Sequence, residues 1–124
     1  MKFRLYYIPP NWNDYINLER RNKYAANKLK QQEKEIVHML LNGKEYTGNY
    51  PVELILSPHY ANKRQDLDNF RAKGIIDGMV DMGIVKNDNL THIQRITIEP
   101  VFDNQECIDI EIKEIEYNTE RSNY

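Results

Sequence analysis

The 124-residue chain has one cysteine, few glycines and no long apolar run, and each shortage removes a class of explanation. A lone cysteine, Cys107, excludes an internal disulfide and a multi-cysteine zinc site. It reads as a small buried strand residue. No stretch approaches the roughly 18 apolar residues that a membrane span needs. The opening "MKFRLYYIPPNWN" lacks the apolar core and small-residue cleavage site of a secretory signal, so a cytosolic protein is expected. The five glycines fall in neither G-x-x-x-x-G-K-[ST] nor G-x-G-x-x-G, so a nucleotide cofactor has no support. No serine or cysteine nucleophile stands beside a base. There is no repeat, low-complexity tract or Pro/Gly/Ser linker, and length alone indicates one domain over 1–124. Such a chain buries a modest core, and dimerisation is a common way for small enzymes to complete a surface.

Charge is unevenly distributed. Residues 1–98 carry 15 Lys and Arg against 11 Asp and Glu, whereas residues 99–124 carry 2 against 8. A polyanion could meet a locally basic surface while the acidic C-terminal segment faces away. Residues 116–124 are expected to form a flexible acidic tail.

The pattern of apolar positions gives the order β-α-β-α-β-β. "KFRLYYI" (2–8) alternates as a strand and stops at Pro9–Pro10. Asn17 can cap a helix running to about Asn42, with Gly43 as its stop. Its apolar face holds Ala25, Leu29, Ile36, Val37, Leu40 and Leu41. "YTGNYP" (46–51) is a turn. "VELILSPHY" (52–60) is a strand whose unbroken "LIL" predicts a central position. A second helix is expected over about 67–82, stopping at Gly83. Gly74 and Gly78 lower its propensity and point to close backbone packing against the sheet or a partner subunit. "HIQRITIEPVF" (92–102) and "ECIDIEIKEIE" (106–116) complete the set, joined by the hairpin-like "DNQE". The expected fold is α+β, mixed α/β in character, with two helices packed on one mixed sheet.

"KRQDLDNFRAKGIIDG" (63–78) sets Asp66 and Asp68 at a helix start. Alone, that arrangement reads as an N-cap and first-turn decoration, since a helix N-terminus tolerates anions. Three neighbours argue for more. Asn69 offers an oxygen ligand or a hydrogen bond to phosphate. Lys73, four residues on, would share its helix face. Asp88 follows in "GIVKNDN". A 16-residue helix spans about 24 Å, and five residues from Gly83 to Asp88 reach at most about 17 Å. Asp88 therefore reaches the acidic pair only if the helix is slanted, if its active start lies nearer the middle, or if another subunit contributes. Three carboxylates and an amide are hard oxygen donors suited to Mg²⁺ or Mn²⁺ rather than zinc. They are the equipment of metal-assisted phosphodiester hydrolysis, with Lys73 to stabilise developing charge. Arg20, Arg21, Lys23, Lys28 and Lys30, near Tyr15 and Tyr24, form a basic cluster suited to phosphates or, equally, to solvent. Lys63, Arg64 and Arg71 flank the acidic motif as further candidates to bind DNA. His38, His59 and His92 are scattered and read as structural, with a supporting role behind the acidic site as the alternative for His59 and His92, which flank the motif.

"RQDLDNFRAKGIIDGMVDMGIVKNDN" resembles the core motif of the RusA family of Holliday junction resolvases, small and often phage-encoded endonucleases. "LYYIPPNWNDYI" is similar to that family's first strand, its Pro-Pro and the following Asn-containing loop, and "ERRNKYAANKLK" to its first helix. The resemblance covers about residues 3–102. It implies a homodimer that binds four-way DNA junctions and makes paired, symmetric, Mg²⁺-dependent nicks in recombination and repair. The catalytic aspartates would be Asp66, Asp68 and Asp88, and the catalytic lysine Lys73. Lys73 lies one position beyond the family's lysine, which would fall at Ala72. Asn87 replaces the first of a common acidic pair. "YANKRQ" carries only Lys63 and Arg64 where the family's loop can be strongly basic, so fewer phosphate contacts are expected. These departures keep two alternatives in view: a catalytically silent module that binds branched DNA, and a magnesium nuclease acting on flaps or other branched DNA.

Overall fold

A computed structural model describes residues 1–116. Its organising element is β2 (Val52–Tyr60), the strand with the longest apolar run. β2 pairs antiparallel with β5 (Ile108–Glu114) on one side. On the other it pairs parallel with β3 (Ile93–Ile98) and, at its end, with β4 (Val101–Phe102). β1 (Lys2–Leu5) adds antiparallel to β5, giving the order β1-β5-β2-β3. The described residues form a single α+β domain, with three α-helices and a five-stranded mixed sheet.

The central place predicted for β2 holds, although Ile55 on its second face stays half-exposed. Ile108, Ile110 and Ile112 alternate inward along β5, with Ile110 opposite Leu56 and Ile112 opposite Leu54. Cys107 is fully buried at the head of β5. The expected hairpin between the last two long strands is not formed. β3 and β5 flank β2 on opposite sides, so Asp103–Glu106 carries the chain across the end of β2. Pro100, which has no N–H to donate, separates β3 from β4 within what reads as one strand.

The first helix is in fact two, α1 (Trp12–Arg21) and α2 (Lys23–Leu40). Asn11, not Asn17, caps α1, its side-chain oxygen accepting from the Asp14 N–H at 2.8 Å. Asn22 sits between the helices in an extended conformation, and its side-chain oxygen accepts from the Tyr24 and Ala25 N–H groups. An asparagine can therefore end one helix and start the next with no glycine or proline to mark the break. The buried stripe of α2 is Ala26, Glu33 and Val37, continued by Leu41, so it is turned from the purely apolar face to include a charge.

The second predicted helix starts late. Leu67–Asn69 forms one 3₁₀ turn, and α3 spans only Lys73–Asp81. Between them the extended backbone at Phe70 sends two neighbouring side chains to different places. Phe70 enters the core, while Arg71 meets Glu33 of α2. α3 ends as predicted at Gly83, which has φ +80°. There the Ile84 N–H reaches back to the Met79 carbonyl at 2.9 Å, the Schellman closure that a left-handed residue permits.

Gly74 and Gly78 do mark a close approach, but to α2. A Cβ on Gly78 would stand 2.9 Å from Val37 Cβ, and one on Gly74 would stand 2.7 Å from Glu33 Oε2. Val37, Leu41, Ile75, Ile76 and Met79 then close over Leu5, Leu54, Leu56, Ile110 and Ile112 to form the core.

The acidic C-terminal segment does not face away as a unit. Asp109 and Glu111 lie on a strand inside the sheet, where Arg4 and Lys2 of β1 pair with them. The expected tail falls, apart from Glu116, outside the described residues. Among the described residues, no helix is long and apolar enough to cross a membrane.

Candidate functional site

Asp66 and Asp68 are both exposed, on the turn between β2 and α3. Asp66 occupies the cap position of the 3₁₀ turn, yet its side chain makes no capping hydrogen bond, so ordinary capping does not account for it. Asn69 is not aimed at solvent as a free ligand. Its Oδ1 accepts the backbone N–H of Asn13 at 3.0 Å, tying the start of α1 to the acidic turn.

The 3₁₀ turn and the extended Phe70 break any helix that would place Asn69 and Lys73 on one face. Lys73 instead opens α3, exposed, with its ammonium 3.6 Å from Asp77. The offset of Lys73 from the family pattern is therefore not a rotation about a helix that also carries Asp68. The shorter helix also changes the reach of Asp88. Nine residues span about 14 Å, less than the roughly 17 Å that five residues can cover. Asp88 returns within the same chain and lines one cleft of about 480 Å³ with Lys73, Asp77, Phe70 and Leu90. The carboxylates of Asp66, Asp68 and Asp88 are not gathered to within 4.8 Å of one another. Their donor chemistry, all oxygen and all exposed, suits Mg²⁺, but the three are not drawn into a cluster.

Arg71 differs most from expectation. It is 2% exposed and paired with Glu33, itself 1% exposed, so its guanidinium is not presented to phosphates. Arg71 Nε and Glu33 Oε2 find no further partner. The guanidinium also lies 4.7 Å from the centroid of the Tyr15 ring. Arg20, Arg21, Lys23, Lys28, Lys63 and Arg64 are all exposed, and Lys63 Nζ stands 5.3 Å over the Phe102 ring. Arg20 and Arg21 close α1, whereas Lys23 and Lys28 belong to α2, so the basic cluster straddles the break.

A second constellation has no sequence-local signal. His59 is buried at the end of β2, with Nδ1 2.8 Å from Asp103 and Nε2 2.8 Å from Asp109. Arg4 Nε donates to the same Asp109 at 2.6 Å. Burial alone would push the His59 pKa down, but the two facing carboxylates outweigh it and hold it above the ordinary imidazole value. Asp109 is held low chiefly by the Arg4 guanidinium, and Asp103 chiefly by the Gln105 backbone N–H, with His59 adding to both. Cys107 Sγ lies near enough that His59, Cys107 and Asp109 bring three ligand atoms within 4.8 Å of one another. That donor set suits zinc rather than Mg²⁺. With both ring nitrogens hydrogen-bonded and a guanidinium on Asp109, the group is already a charge-balanced clamp. It pins the crossing from β4 to β5 against β2.

His38 pairs with Asp81 at 2.9 Å, and His92 contacts Asn89 at 2.7 Å. No protein-family model and no curated protein matches the chain.

Proposed function

We propose that this protein is a Mg²⁺-dependent, structure-selective DNA endonuclease similar to the RusA resolvases, cutting four-way junctions by paired symmetric nicks as a homodimer. The observation that carries the reading is the cleft that Lys73 and Asp88 line together, with Asp66 and Asp68 exposed on the turn that leads into α3. The short α3 lets Lys73 and Asp88 share that cleft within one chain. In this reading Asp66, Asp68 and Asp88 would hold Mg²⁺, which would supply an activated water and neutralise charge on the scissile phosphate. Lys73 stabilises charge developing on the phosphate oxygens, and Asp77 fixes its ammonium. Lys63, Arg64 and the exposed basic residues of α1 and α2 hold the flanking phosphates. Two-fold symmetry of the dimer would match that of a junction cut at two places.

One observation favours a second reading, a branched-DNA-binding module without cleavage: the three carboxylates stand apart. A labelled four-way junction, a flap and a linear duplex, each with Mg²⁺ or EDTA, decide between them. The junction is expected to be nicked in pairs only with Mg²⁺. Asp68→Asn and Asp88→Asn should each lower the rate by at least about 100-fold while leaving binding intact. Junction binding with no cleavage by the unsubstituted protein favours the module. Preferential cutting of the flap makes the protein a flap nuclease, and equal cutting of the linear duplex ends the structure-selective reading.

A further inference from the structure

Between α1, α2 and the start of α3 lies a cavity of about 350 Å³ that Asp66, Asp68 and Asp88 do not line. Trp12 and Tyr15 form one wall, their rings edge to face at 6.1 Å between centroids. Arg71 also lines the cavity, its guanidinium 5.8 Å from the Trp12 ring centroid and 4.7 Å from that of Tyr15, and the buried pair with Glu33 fixes it there. The aromatic wall thus stands beside a rigid ionic support rather than a mobile side chain. Lys30, Lys34 and Lys73 supply the remaining positive charge, with Lys30 Nζ 5.4 Å over the Tyr15 ring. Against these cations the lining sets only the acids Glu19 and Asp77.

The face of one aromatic ring among ammonium groups matches a ligand with a π-face and an adjacent anion. The volume is at the small end of the range for small-molecule sites, about 300–1,000 Å³, and suits one base rather than a base pair. Position narrows the ligand further. Trp12, Lys73 and Asp77 line both this cavity and the Asp88 cleft. The hydrogen bond from the Asn13 N–H to Asn69 Oδ1 holds the start of α1 against the acidic turn. An occupant stacked on Trp12 therefore sits next to the candidate cleavage centre.

We propose that this cavity seats one unstacked nucleotide of a DNA strand, its base against Trp12 and its phosphates among Lys30, Lys34 and Lys73, and that the seat makes the protein select branched over linear DNA. The choice of DNA as ligand rests on the endonuclease reading. A base at a branch point leaves its stack at lower cost than one inside a continuous duplex, so a seat that needs a free base discriminates without reading sequence.

Trp12 is the only tryptophan, so its fluorescence reports the seat directly. The full chain in EDTA is titrated with a single-stranded oligonucleotide, a four-way junction, a linear duplex, a mononucleotide and inorganic phosphate. Saturable quenching by the single strand and the junction is expected at concentrations about tenfold below any quenching by the duplex. Asp68→Asn should quench as the unsubstituted protein does. Lys30→Ala/Lys34→Ala, checked for folding by circular dichroism, should weaken the single-strand titration about tenfold. Equal quenching by linear duplex, equal quenching by phosphate, or none by the single strand overturns the proposal. A mononucleotide quenching as tightly as the strand overturns the assignment to DNA and leaves a free-nucleotide site. Quenching without cleavage in Mg²⁺ upholds the seat and ends the endonuclease reading, whereas cleavage without quenching does the reverse.

Discussion

His59 concentrates an unusual amount of structure in one side chain, because its two ring nitrogens hold residues 44 and 50 positions away. Both contacts are strongest when the imidazole is charged and the carboxylates are not protonated. The folded pKa of His59 is raised, so its contribution to stability is complete below the unfolded value of about 6.5 and is lost as pH rises through the folded one. Asp103 and Asp109 are lowered, so theirs is complete above about 3.9 and lost as pH falls through the folded values. The difference in melting temperature between the unsubstituted protein and His59→Gln should be largest between about pH 4 and 6.5 and shrink on both sides. A difference that stays constant from pH 5 to 9 (about two units either side of neutrality) would show that the imidazolium form is not what is stabilising. Sequence alone identifies His59 as structural, because no ligand spacing surrounds it. It gives no partners, because they are brought together only by the crossing at the end of β2.

At the scale of elements, two glycines fit α3 against α2, and a buried charge pair joins α2 to Arg71 just before α3. Removing one partner leaves the other charged and dry, so Arg71→Met should destabilise by about 3–5 kcal/mol in urea unfolding. Glu33→Leu/Arg71→Met should recover most of that loss, since an apolar pair needs no compensation. If the double variant is no more stable than the single one, the ion pair is not the source of the loss. Gly74 and Gly78 announce a tight approach in the sequence, but the surface they meet is another helix. Glu33 and Arg71 are not recognisable as partners, because a charge in an amphipathic helix and an arginine beside an acidic motif each read as solvated. The limits of the helices are obscured in the same way. Asn22 and Phe70 stop helices by side-chain capping and by divergent burial, and neither leaves a glycine or proline behind.

Across the whole molecule, most strands were legible from two-residue alternation, while their order was not. Two apolar runs joined by "DNQE" look like a hairpin until β2 is seen to lie between them. The candidate carboxylates were legible as residue types at particular spacings. Whether Asp88 could reach Asp66 and Asp68 was judged against a helix length that periodicity overstated; with the shorter α3 it shares a cleft with Lys73, while the three carboxylates stay apart. Charge shows the same pattern, since Asp109 and Glu111 of β5 are paired within the sheet, while the exposed lysines and arginines of α1, α2 and the loop after β2 are the surface that DNA would meet in the proposed function. Replacing Arg20 and Arg21 with alanine should weaken junction binding in fluorescence anisotropy and reduce the slope of log Kobs against log salt by about 1–2. An unchanged slope would take the end of α1 out of the phosphate contacts.

The middle of the sheet is filled by one of the last segments of the described chain to be synthesised. Until β5 leaves the ribosome, β1 has no neighbour and β2 presents one open edge, so the sheet cannot be assembled in the order in which it is translated. Residues 108–114 arrive as a wedge between strands made a hundred and some fifty residues earlier, and their insertion converts a tethered set of pieces into a cooperative unit. A chain terminated before Ile108 would expose two unpaired edges to other nascent chains. For this protein, the sheet cannot be completed before Ile108–Glu114 has been made.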